Sequence, residues 1–155
     1  MFNACTYLVD RHVESGGGDR TAVTGPGGTL TYAELLDRVR HMASGLRDLG
    51  VRPEERVLIY MPDSPGMLAL ILGAMRIGAV PVPVSTMMTA KDLAGVLRDS
   101  RARVLAAGAE FAAAAEEAAA TATDLAAFVL TGDTPPKAPE WAQSHLLDKI
   151  GRAHV

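Results

Sequence analysis

Few residues in this sequence have the type and spacing that catalysis requires. None of its histidines lies three or four residues from another, and none belongs to a His-Glu-x-x-His pattern; they are His12, His41, His145 and His154. Ser64 precedes a proline and lacks the Gly-x-Ser-x-Gly context of a nucleophile, so it is better interpreted as a helix cap. The sequence therefore predicts no metal site and no catalytic residue.

Two glycine clusters are the remaining candidates for phosphate binding, because phosphate cradles use backbone N–H groups that converge at a helix start. The cluster at 16–18 has no strand before it and places Asp19 beside the presumed anion. The cluster at 25–28 lies between two short threonine-containing runs, which is typical of a hairpin turn. Neither cluster is expected to bind phosphate.

Composition excludes several classes of protein. A formal charge of −3 and a pI near 5.8 argue against nucleic-acid binding. The single cysteine, Cys5, has no partner for a disulfide or a zinc site, and the N-terminus lacks a cationic stretch followed by an apolar run. The most apolar segment, 67–84, contains Arg76, Pro81 and Pro83, so we interpret it as core and not as a membrane span. These features indicate a cytoplasmic protein.

The elements that would position any site alternate between strands and helices. Thr31 and Glu34 have capping-box spacing, and apolar residues recur at helical intervals up to Gly50, so a helix is expected over 32–49. Strands are expected at 56–60, 80–84, 104–107 and 128–130, with helices at 64–77, 89–98 and 111–120 between them. The pattern predicts an α/β fold with a largely parallel sheet flanked by helices and a small β-hairpin near the N-terminus.

The composition changes after residue 130. Three prolines, Pro135, Pro136 and Pro139, follow a Thr-Gly-Asp-Thr run, which predicts a linker over 131–149. Such a linker ordinarily leads into further structure. We therefore interpret 1–130 as a partial N-terminal subdomain.

Several stretches together resemble the N-terminal region of the adenylate-forming (AMP-dependent synthetase/ligase) superfamily, and most of all benzoate-CoA ligases. In order, they are Asn3-Ala4 with Tyr7-Leu8-Val9-Asp10-Arg11, Leu30-Thr31-Tyr32-Ala33-Glu34-Leu35, Leu49-Gly50-Val51-Arg52-Pro53-Glu54-Glu55-Arg56-Val57, Gly73-Ala74-Met75-Arg76-Ile77-Gly78-Ala79-Val80-Pro81-Val82-Pro83-Val84, and Asp99-Ser100-Arg101-Ala102. The resemblance spans about 3–107, and the motifs keep the family's order and spacing.

The resemblance implies a two-step reaction in which ATP and Mg²⁺ activate a carboxylate as an acyl-adenylate, and CoA then displaces AMP. It implies a small, preferably aromatic, carboxylic acid as substrate. The Ser/Thr/Gly-rich phosphate loop and the C-terminal catalytic lysine of similar enzymes do not occur in this chain. We therefore expect an inactive, truncated piece of a ligase that binds none of these cofactors tightly and self-associates.

One weak CoA-adjacent turn follows from the resemblance. In some relatives a basic residue in the turn after the Val-Pro strand approaches the nucleotide end of CoA. Here Met87 occupies that position, between Ser85 and Thr89, and it has no charge to offer a phosphate. A plain turn that leads into a helix capped by Thr89 is the favoured interpretation.

The last six residues form a separate expectation. Residues 150–155, Ile-Gly-Arg-Ala-His-Val, can be back-translated into a common sequencing adapter, so we expect a non-native tail.

Two alternatives to a CoA ligase stay open: a stand-alone, non-catalytic α/β binding module, and an adenylation domain that feeds a carrier protein.

Overall fold

The computed structural model describes residues 1–151 and contains two sheets. An antiparallel hairpin pairs β1 (Thr21–Gly25) with β2 (Gly28–Thr31). The main sheet has five strands, all parallel to their neighbours, in the order β4-β3-β5-β6-β7. Its strands are β3 (Arg56–Tyr60), β4 (Val80–Pro83), β5 (Val104–Ala107), β6 (Ala127–Leu130) and β7 (Gln143–Leu146).

Helices cover both faces of the main sheet. A π-helical turn (Thr6–Asp10) continues into the short α1 (Arg11–Glu14), and a 3₁₀ turn (Leu147–Lys149) follows β7. The remaining helices are α2 (Tyr32–Asp48), α3 (Pro65–Arg76), α4 (Ala90–Ser100) and α5 (Ala112–Ala119). The α/β fold with a parallel sheet and an N-terminal hairpin is confirmed.

The start of α2 shows how local sequence fixes an element. The Glu34 N–H donates to Thr31 Oγ1 at 3.2 Å, and the Thr31 N–H donates to Glu34 Oε2 at 2.9 Å. This reciprocal pair satisfies two backbone donors that the first helical turn leaves free. The helix predicted over 32–49 is therefore confirmed to within one residue.

Two hydrophobic cores lie on opposite faces of the sheet. One packs α2, α3 and the N-terminal segment against the sheet through residues such as Val39 and Leu70, and the other packs α4 and α5 through Leu93 and Leu97. The chain crosses from one face of the sheet to the other after β4. As a result, β4 lies on one side of β3, and β5, β6 and β7 follow in order on its other side. The topological switch therefore lies between β3 and β5.

The segment predicted as a linker, 131–149, is more structured than expected. It returns along the α5 side and forms β7, which pairs in parallel with β6. Trp141 Nε1 donates to the Ala122 carbonyl at 2.9 Å, and the Lys137 N–H donates to Glu116 Oε1 at 3.0 Å, so the crossover is tied to α5 and the turn that follows it. The sequence did not indicate a strand at Gln143–Leu146, because a mostly polar edge strand has no apolar periodicity.

The expected tail begins inside the described region. Ile150 is buried, and a Cβ built on Gly45 of α2 would lie 2.8 Å from the Ile150 Cβ and 2.8 Å from the Gly151 nitrogen. The other four residues of the expected tail, 152–155, lie outside the described residues. Among the described residues, every helix is too short or too polar to cross a bilayer.

Candidate functional site

The turn after β4 lies at the carboxyl edge of the sheet, and two hydrogen bonds hold its shape. The Met87 N–H donates to Ser85 Oγ at 3.1 Å. The hydroxyl of Tyr60, at the end of β3, donates to the Met88 carbonyl at 2.9 Å, and its ring is fully buried. The turn is thus a fixed loop between β4 and α4.

The side chains of this turn do not fit a phosphate group. Met87 is almost fully exposed and uncharged. Thr89 accepts the Asp92 N–H at 3.2 Å and donates its hydroxyl to Asp92 Oδ2 at 2.9 Å, so it is used as the cap of α4. The carboxylate of Asp92 also opposes a nearby anion. The turn itself therefore supplies no positive charge for a nucleotide phosphate, and the hydroxyls of Ser85 and Thr89 already have local partners.

A larger cleft of about 680 Å³ lies nearby, between α2, the start of α3 and the strand ends. Met61, Thr131 and Leu147, which directly follow β3, β6 and β7, contribute to its wall. Open α/β sheets bind their ligands outside the carboxyl ends of their strands. Its volume also falls within the roughly 300–1,000 Å³ typical of small-molecule sites. This cleft is the best candidate site among the described residues.

The cleft combines apolar and ionisable side chains. Met42, Met67 and Ile150 supply apolar surface, while charged or titratable groups come from Asp37, Arg38, His41 and Asp148. His41 Nδ1 lies 2.8 Å from the Asp37 carbonyl oxygen, and this backbone hydrogen bond orients the ring, while Asp37 Oδ2 lies farther away at 3.6 Å. An amphipathic acid or a nucleotide edge matches such a surface better than a purely apolar ligand.

The sequence patterns did not indicate this cleft. They gave no functional role to His41, whose ring is partly exposed on the side of α2 that faces the strand ends. The available signal was that β3 and β6 are parallel, because parallel strands bring their carboxyl ends to one edge. A second cleft of about 420 Å³ adjoins it through Met61 and Met67 and reaches Ser85 and Thr86.

The other candidates have structural roles. Ser64 Oγ accepts the Met67 N–H at 3.1 Å and caps α3, as the sequence predicted. Gly27 and Gly28 form the turn of the hairpin with positive φ angles of 93° and 122°. Within residues 1–151, no three His, Cys, Asp or Glu side chains are grouped so that they could hold a metal ion.

Comparison with known proteins decides the family. The sequence model of the AMP-binding enzyme family matches residues 9–150. The chain belongs to the AMP-binding enzyme family. The resemblance drawn from the sequence motifs is thereby confirmed.

Individual relatives include CoA ligases for aromatic and for short acids. The chain is 38% identical over 146 residues to the 4-hydroxybenzoate-CoA/benzoate-CoA ligase of Rhodopseudomonas palustris, covering 94% of this chain and 27% of that enzyme. It is 41% identical over 108 residues to the acetyl-coenzyme A synthetase of Streptomyces coelicolor, covering 66% of this chain and 17% of that enzyme.

The fold gives the same relationship. A benzoate CoA ligase from Burkholderia xenovorans LB400 superposes with a TM-score of 0.83 at 31% identity, covering 99% of this chain and 29% of that structure. The chain thus spans between about a sixth and a third of the length of these relatives.

Proposed function

We propose that this chain is the N-terminal part of an ATP-dependent aryl-CoA ligase, which converts an aromatic carboxylate, ATP and CoA to an aryl-CoA, AMP and pyrophosphate. Residues 1–149 supply the first β-α layer of the large domain. The observation that carries the proposal is the family match over 9–150 together with the benzoate-ligase superposition over almost the whole chain.

The extent of the matches favours an aromatic acid over acetate. Alignments with three ligases that act on hydroxybenzoates cover 84% to 94% of the chain, whereas alignments with an acetyl-coenzyme A synthetase and with one benzoate-CoA ligase cover 66%. We therefore propose benzoate or a hydroxybenzoate as the substrate class.

The chain alone is proposed to be inactive. Transfer of an adenylyl group requires positioned cations and backbone donors around the phosphates of ATP, with Mg²⁺ and CoA as further reactants. The described residues contain neither a phosphate loop nor a cationic turn beside β4. What this part contributes is the rigid sheet and the cleft of about 680 Å³ at its carboxyl edge.

A chimera tests the proposal. Residues 1–149 replace the aligned segment of the Rhodopseudomonas palustris ligase, and AMP and thioester formation are measured with benzoate, 4-hydroxybenzoate and acetate. We expect benzoate-dependent activity from the chimera and none from the 155-residue chain. The unmodified ligase is the positive control.

Three results would contradict parts of the proposal. A folded chimera without activity toward any of the three acids would refute the proposal that this chain is part of a CoA ligase. Activity with acetate but not with the aromatic acids would retain the ligase and refute the aromatic substrate. Turnover by the 155-residue chain itself would refute its inactivity.

The same proposal includes the cell compartment. Cys5 is fully buried and has no second cysteine with which to pair, which fits a reducing cytoplasm. Fractionation of the source cells with an antibody against this chain tests it, and recovery outside the cytoplasmic fraction would count against it.

A further inference from the structure

We draw no further inference here: the strongest candidate, the exposed apolar patch of Phe2, Tyr7 and Leu8 on the N-terminal helical segment, carries none because nothing in the structure shows what covers it.

Discussion

Arg76 donates through one guanidinium nitrogen, Nη1, to both carboxylate oxygens of Asp10, at 2.9 and 3.0 Å. Asp10 is buried, and Arg76 belongs to the last turn of α3. Nearby, Asn3 Nδ2 donates to the Met75 carbonyl at 3.2 Å. Asn3 Oδ1 also accepts the Cys5 N–H at 2.9 Å, so Asn3 both caps the N-terminal helical segment and fastens it to the end of α3.

Replacing Arg76 with methionine should destabilise the protein by about 2–3 kcal/mol, because it leaves the Asp10 carboxylate buried without its partner. The value lies below the roughly 3–5 kcal/mol for a fully buried pair, since the arginine side chain is 26% exposed. Arg40→Met, at an exposed position of α2, is the matched control and should change stability by less than about 0.5 kcal/mol. Urea unfolding measures both, and equal effects would argue against the pairing.

Gly73→Ala should destabilise the contact between α2 and α3. A Cβ at this position would lie 2.7 Å from the Met42 Cβ and 3.1 Å from the Ala43 nitrogen, so the helices must separate. Overpacking of this kind costs about 1–3 kcal/mol. Gly95→Ala in α4 meets nothing within 4 Å and should instead stabilise by about 0.5–1 kcal/mol. The opposite signs, measured by thermal unfolding, separate packing from helix propensity.

Cys5 should make stability fall at alkaline pH. Burial raises the pKa of its thiol, although Arg76 partly opposes the shift. The unfolded thiol ionises at about pH 8.5. The folded state therefore holds its proton longer, and this contribution is fully present below the unfolded pKa and is lost as pH rises through the folded pKa.

Urea unfolding of the wild type and of Cys5→Ala at a series of pH values from neutral to strongly alkaline checks this expectation. The wild type should lose more stability with rising pH than Cys5→Ala, although the alanine variant starts from a lower value because it leaves a small cavity. Parallel curves would show that the thiol does not contribute. Ellman's reagent should also react slowly with the native thiol at mildly alkaline pH and rapidly after unfolding.

The sequence predicted the elements between Tyr32 and Leu130 because each carries its own local signal. Thr31 with Glu34, Ser64, and Thr89 mark helix starts, and their capping hydrogen bonds are present. β7 had no such signal: its residues are mostly polar, and only pairing with β6 makes it a strand. Local patterns do not encode a neighbour that is distant in sequence.

The residues that line the candidate cleft could not be predicted from local patterns for the same reason, although parallel strands pointed to the edge where it lies. Its wall combines the polar side of α2, the cap of α3 and residues after three strands, and nothing in any one segment identifies it. Asp37 and His41 have the spacing of an ordinary solvent-exposed helix face. The strand order, which places β5 beside β3 and not beside β4, decides which residues meet there.

Met87→Lys tests whether the turn after β4 lies near CoA in a complete ligase. If it does, a lysine in place of the exposed methionine supplies the charge that a nucleotide phosphate attracts, and the KM for CoA of the chimera should fall several-fold with kcat unchanged. Val80→Lys adds the same charge at the amino end of β4, whereas the turn follows the carboxyl end of that strand. This control variant should leave the KM for CoA unaltered. Tyr60 anchors the turn in both variants, so a difference between them reflects charge and not loop shape. An equal KM in the two variants would place the turn away from CoA and leave Thr89 with its capping role alone.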